Sequence, residues 1–358
     1  MDEKDAPEKP SQFKKLMTWV GSASALIGLF ASLAGGYHWL MNRRAEQAQL
    51  KSEMAVADGQ AKLEEYSSAV ADYDAILKAH PLYAPALDGQ LNVVMAWDEN
   101  YHALGREGRD PSDVAAPELE KIIGLLEAGL VRSTGTRAAD VQAHLGWAHF
   151  LNQKIAEREF GTAAETSLRA ALKTDPNNVY ANAMLGNYLL QTHGDFAEAI
   201  AHLQTAVATG KDRAWVRRMQ LGGLDGDETQ GANAELMKLA NDMRKNGEPL
   251  DEGSKHRVLS QCCEPPYTHH EELVESLSAV PQDDAWKTYL WLDDREQKGT
   301  DAQAQRLMRE FIQDALLEIA GNKDEALEKY RALQVELKPT YFSLKDSVNE
   351  AVARLSKK

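Results

Sequence analysis

Aromatic residues make up only 7% of these 358 residues, and few stretches alternate β-branched or aromatic side chains with polar ones. Without that period-2 pattern a sheet has no face to bury. Frequent Ala, Leu, Glu and Gln favour helix instead. Cysteine is almost missing: Cys262 and Cys263 are the two, and they are adjacent. That excludes a disulfide framework, and a bond between neighbours would strain the planar trans peptide that joins them. Beyond residue 50 there is no block of Lys or Arg. The first 50 residues hold six Lys/Arg and five Asp/Glu, which leaves 34 basic against 50 acidic groups for residues 51–358, and the whole chain carries a formal charge of −15. Such a body repels phosphate backbones, which argues against nucleic acid as the main partner.

Signatures of catalysis are missing too. Gly210-Lys211 lacks the glycine five residues earlier that a phosphate loop needs, and no Gly-x-Ser-x-Gly elbow occurs. His270-Glu271 is followed by Val274 where a zinc-protease helix would place its second His. Asp225 to Glu228 is an acidic turn without the ligand spacing of a calcium loop. One cluster has residue types that zinc uses: Cys262, Cys263, His269 and His270. Adjacent thiols and adjacent imidazoles point apart, however, so chelation by all four is strained, and two helix ends with a buried Cys and an exposed His are the simpler reading. The chain reads as a non-enzyme without cofactor.

What is present begins with residues 16–41, which contain no Asp, Glu, Lys or Arg. As a helix they would extend about 39 Å, enough for a hydrocarbon core of about 30 Å. Lys14 and Lys15 bound one end, Arg43 and Arg44 the other, with Trp19, Tyr37 and Trp39 near the edges. We therefore expect a single transmembrane helix and the bilayer as a partner. A signal peptide cleaved near Ser32-Leu33-Ala34 is the competing reading, weakened by the apolar run that continues to Met41. Gly21, Ala25, Gly28, Ser32 and Gly35 fall on one stripe, where a second helix could approach closely and make a homo-oligomer. Small residues are also common in membrane helices generally. Four lysines precede the span, and Arg43, Arg44 and Lys51 follow it. That excess puts the rest of the chain on the extracytoplasmic (periplasmic) side, with a cytoplasmic placement as the alternative.

After a charged helical connector at 43–60 the chain becomes self-similar. Tyr66, Ala69, Tyr73 and Pro81 space out like the second helix of a tetratricopeptide repeat, with Ile76 in place of a small residue. Leu145-Gly146 and Leu185-Gly186 match the Leu-Gly pair of a first helix. Ala164, Leu168, Ala171 and Pro176, then Ala199, Leu203 and Ala206, match second helices. Ala164 to Ala199 and Ala171 to Ala206 are each 35 residues apart, close to the 34-residue period. Small residues let paired helices approach, and neighbouring hairpins must stack to bury their apolar faces.

The chain therefore resembles the tetratricopeptide repeat family, and in plan a membrane-anchored bacterial member of it. The resemblance implies an all-α fold: one N-terminal transmembrane helix, then a right-handed α-solenoid of helical hairpins. Repeats are expected over 50–211 with an insertion at 98–114, divergent repeats over 212–340, and a capping helix at 341–358. Leu221-Gly222 with Ala234–Met243 reads as a further pair, and 252–263 with 269–279 as another.

In this family the first helices line a groove for a peptide or partner helix. By position the groove residues here are Trp147, Phe150, Tyr180, Asn187, Leu190, Arg213, Arg217 and Arg218. Asn187 stands where chaperone-binding members hold a terminal carboxylate, but Ala183 and Ala143 replace the lysine of a full clamp. Trp147 and Phe150 offer apolar anchors, or pack between repeats as core. The leading expectation is a membrane-tethered scaffold or assembly factor that binds a protein partner. The alternative is a structural subunit that oligomerises through its transmembrane helix, with the repeats as spacer; an enzyme with an unrecognised site comes last.

Overall fold

A computed structural model describes the backbone of residues 12–101, 111–155, 162–225, 229, 231–265, 268–294 and 300–357. It describes their side chains except at 12–35, 111–116, 155, 300, 301 and 342. All described elements are helical. They fall into two units, Met1–Tyr101 and His102–Lys358.

The first unit is three helices: α1 (Gln12–Lys62), α2 (Tyr66–Ala79) and α3 (Ala84–Glu99). From Leu50 and Ala57 onward α1 buries one side against α2. Tyr73 of α2 donates its hydroxyl to Asp58 of α1 at 2.6 Å. A Cβ at Gly89 of α3 would stand 2.3 Å from that hydroxyl, so only glycine lets α3 close over it.

This unit corrects the membrane expectation. Among the described residues no helix is long and apolar enough to cross a membrane. The separate span at 16–41 and connector at 43–60 are one continuous helix of 51 residues. It runs on through Arg43, Arg44, Glu46, Lys51 and Glu53 and becomes a wall of a packed three-helix unit. The transmembrane helix, the bilayer as partner, the single-pass placement and the periplasmic orientation all fall with it. The small-residue stripe Gly21, Ala25, Gly28, Ser32 and Gly35 lies outside the described side chains.

The second unit opens with α4 (Pro111–Arg132), α5 (Gly135–Ile155), α6 (Ala163–Thr174), α7 (Val179–Gln191), α8 (Phe196–Ala208) and α9 (Arg213–Leu224). It continues with α10 (Ala232–Lys245), α11 (Glu252–Cys263), α12 (His270–Ser278), α13 (Gln282–Leu292), α14 (Thr300–Ile319), α15 (Lys323–Glu336) and α16 (Phe342–Leu355). The expected insertion at 98–114 is helical from Pro111, and residues 102–110 lie outside the described ones. Residues 282–292, which repeat spacing leaves unassigned, form α13, whose Tyr289 is fully buried.

Two hairpins, α5/α6 and α7/α8, share one packing rule. A Cβ on Gly146 would meet the Ala164 carbonyl at 2.9 Å and Leu168 at 2.8 Å. On Gly186 it would meet the Ala199 carbonyl at 2.8 Å and Leu203 at 2.6 Å. The helices approach so closely that only hydrogen fits between them. Local signals fix the ends: Asn178 accepts from the Ala181 N–H at 2.8 Å to cap α7, and Asp195 accepts from the Glu198 N–H at 2.9 Å to cap α8.

Neighbouring hairpins are joined through their first helices, α5 to α7 and α7 to α9. Asn187 donates to the Met219 carbonyl at 2.7 Å and Gln191 to that of Gly222 at 3.0 Å. The rule then shifts. Gly222, the expected third copy, is exposed with only Asn187 near its absent Cβ, while Gly223 makes the close approach, at 2.8 Å from Leu190 of α7. From there α10 packs against α11, α12 and α13, and α14, α15 and α16 follow in turn.

Candidate functional site

The helix α9 starts after a tight turn in which Gly210 and Asp212 both take positive φ, +70° and +43°. Its period then puts Trp215, Val216 and Met219 into the core, and Arg213 and Arg217 one turn apart. The loop after α10 turns at Gly247, φ +64°, and brings Glu248 back onto α9. Arg213 Nε donates to Glu248 Oε1 at 2.6 Å, and Arg217 Nε to Glu248 Oε2 at 2.8 Å. Asp242 takes Arg217 from the other side and Arg213 at 3.4 Å. Burial alone would raise the Glu248 carboxyl, but the Arg217 and Arg213 guanidiniums outweigh it and hold it below the ordinary carboxylate range.

Beyond this knot, α9 and α11 stand apart. Gln261 of α11 donates to the Leu224 carbonyl at 2.9 Å, and Arg257 pairs with Asp225 at 3.2 Å. Between the helices lie two adjoining cavities, of about 490 and 330 Å3. The larger is lined by Arg213, Arg217, Arg218 and Leu221 of α9 and by Met243, Pro249 and Leu250. The smaller runs along Gly222, Leu236, Val258 and Gln261. Arg218, Leu221, Asp251 and Ser254 belong to both. The Asp251 carboxylate is committed to the start of α11, accepting from the Ser254 N–H at 2.9 Å and the Ser254 hydroxyl at 2.6 Å. Those bonds hold it below the ordinary range. Arg218 is exposed. The cleft can therefore take apolar side chains on either side of an open guanidinium.

Of the eight groove residues read from the sequence, the three arginines meet at this cleft. The other five pack elsewhere. Trp147, Phe150, Asn187 and Leu190 are buried. The Trp147 and Phe150 rings lie 4.9 Å apart, and Phe150 meets Tyr188 edge-on at 5.4 Å. Tyr180 stands between His144, at 4.8 Å, and Trp215, at 5.4 Å, and donates its hydroxyl to Asp212 at 3.0 Å. These side chains stitch α5, α7 and α9 together. Sequence reading missed Glu248, Leu250, Ser254 and Arg257. The one local signal was the Gly247-Glu248-Pro249 turn ahead of the Asp251 cap.

The cysteine–histidine cluster is not assembled. Among the described residues no group of three or more His, Cys, Asp or Glu side chains is placed to hold a metal. Cys262 and Cys263 are fully buried, and burial pushes the Cys263 thiol up, helped by Cys262. His269 is exposed and caps α12 with Glu272. His270 turns the other way, 3.0 Å from the Tyr330 hydroxyl and 3.5 Å from Glu318. Arg354 takes the Glu318 carboxylate, and burial pushes the His270 imidazole down to about 4, so the ring is neutral.

No family model matches the chain. No curated protein matches it either. Among solved structures, the crystal structure of the P58(IPK) TPR domain aligns at 15% identity over 87% of this chain and 100% of that one, with a TM-score of 0.18. At that score the likeness carries no argument about fold or family. The tetratricopeptide assignment, and the membrane-anchored bacterial type with it, is thus not established. The all-α, largely hairpin architecture rests on the helices themselves.

Proposed function

We propose that this chain is a helical-hairpin scaffold that binds a segment of a protein partner in the cleft between α9 and α11, and that it catalyses nothing. The observation that carries the reading is the pair of adjoining cavities with Arg218 and Leu221 on their shared rim. The larger falls in the range of about 300–1,000 Å3 seen for ligand sites. Its mix of apolar lining and a few placed charges suits a peptide better than a reaction.

A second reading, a structural spacer that binds nothing in this cleft, draws on the commitment of Trp147, Phe150, Asn187 and Leu190 to the core. One substitution separates the two. Gly222 lines the smaller cavity, and a Cβ there meets nothing nearer than 3.8 Å. Gly222→Phe should fill the cleft while leaving the helix intact. Peptides enriched from a random displayed library on the full chain should lose binding to this variant. If none is enriched, or if the winners bind the variant as well as the parent, the spacer reading prevails.

A further inference from the structure

We infer that the segment received by this cleft is an internal stretch of a partner chain carrying an Asp or Glu side chain for Arg218 between apolar residues. The inference rests on the binding role proposed above and names its occupant.

Charge pairing along the cleft narrows the choice. Arg213 and Arg217 are closed by Glu248 and Asp242, and Arg257 by Asp225. Asp251 is spent on the α11 cap. Arg218 is exposed on the rim that both cavities share, one position along α9 from the arginine that already grips a carboxylate. Glu248 is thus an internal example of what this helix accepts: a carboxylate delivered side-on by an irregular loop. Among the described residues of the cleft one guanidinium, that of Arg218, is open, and it calls for one acid. Further acids in the ligand would face Asp225, Asp251 and Glu248.

The cleft also continues past Arg218 in both directions. On one side Met243, Pro249 and Leu250 line it, on the other Leu236 and Val258. A chain that ended in a carboxylate at Arg218 would leave one of the two cavities empty. A chain that runs through fills both, placing an apolar residue before the acid and another after it. The acidic surface of the molecule does not forbid this. Screening over about 8 Å at physiological ionic strength mutes distant charges and leaves a contact pair acting.

The test uses the full chain and a library displayed with both peptide ends blocked by flanking sequence. Wild type should enrich Asp or Glu flanked by Leu, Ile, Phe or Met. On a synthetic winner with acetylated and amidated ends, Glu→Gln should weaken binding by up to about fivefold, the scale of an exposed ion pair. Arg218→Gln should do the same, and Arg218→Glu should prefer the Glu→Lys peptide over the parent. Arg218 is exposed, and matched thermal melts of the variants would exclude misfolding as the cause. Winners that lose binding to Gly222→Phe yet carry no acid and tolerate Arg218→Glu would overturn the inference while the binding role stands. So would a second library displayed with free C-termini, if its winners alone bind and lose binding to the parent chain on amidation. Winners indifferent to both substitutions would overturn both.

Discussion

Two stretches of the second unit solve the same packing problem in different ways. In α5–α8 the helices close on glycine: Gly146 and Gly186 each sit against a carbonyl and a leucine of the partner helix, and the arginine ion pairs stay outside. Arg169, for example, bridges Glu165 and Glu198 on the surface. From α9 onward charged side chains move inside and set the geometry: Arg217, Asp293, Asp314 and Glu318 are all buried. Arg217 is 5% exposed beneath Glu248. Arg244 reaches Thr288 and Asp284 of α13. Arg309 of α14 holds the buried Asp293 at 2.8 Å, and Glu318 ties Arg354 of α16 toward His270 of α12. Small-residue packing repeats because any hairpin can use it. Charge pairing is particular to its partners, so it does not repeat.

The largest test of this contrast is at Arg217. Arg217→Met leaves Glu248 and Asp242 with less countercharge in a half-buried knot, and loss of one partner of such a pair costs about 3 kcal/mol. Urea unfolding should show it. The double change Arg217→Met, Glu248→Leu should recover most of the loss, with Arg213 left to Asp242. A single change costing less than about 1 kcal/mol would mean the knot does not hold α9 to the α10–α11 loop.

Next in size is a pair of glycines that share a Leu-Gly signature. Gly186→Ala should cost about 1–3 kcal/mol, because its Cβ would press on the Ala199 backbone 2.8 Å away. Gly222→Ala, where nothing crowds, should stabilise by up to about 1 kcal/mol through helix propensity. Equal effects at the two sites would erase the distinction between the regular hairpins of α5–α8 and the helices from α9 onward.

Those same glycines show how much of the fold was legible. Leu145-Gly146 and Leu185-Gly186 announce hairpins because the steric requirement is local and the letters carry it. Leu221-Gly222 misleads, since the next residue, Gly223, makes the approach, and it does so to α7. The apolar run at 16–41 misleads in another way: hydropathy read over a window does not reveal that the helix continues to Lys62 and packs as part of a three-helix unit. At the site, the spacing of Arg213, Arg217 and Arg218 was enough to place them together. Which of them is already satisfied depended on Glu248, which lies 30 or more residues away in sequence and arrives only through the turn at Gly247. Trp147 and Phe150 had the right residue type for a binding surface, and their neighbours decided otherwise.

The last expected effect concerns pH, where two buried groups from α12 onward, Asp314 and His270, should respond in opposite senses. Burial raises the Asp314 carboxyl of α14 to about 7, with Lys329 pulling it down and Glu310 and Glu325 pushing it up. The folded state therefore keeps a proton that the unfolded chain gives up near 4, so between about pH 4 and 7 this group costs stability as pH rises. His270 acts in the opposite sense. Its folded value of about 4 lies below the ordinary 6.5, so it favours folding increasingly as pH climbs through that interval. The two slopes offset each other from about pH 4 to 6.5, and Asp314 alone acts from there to 7. Asp314→Asn removes one slope and leaves the other. The variant should gain on wild type, in urea midpoint, from pH 5 to about pH 7 and then level off toward pH 8. An unchanged difference across that range would mean that Asp314 is ionised in the fold, and that the polar interior of α14 and α15 is wetter than its packing implies.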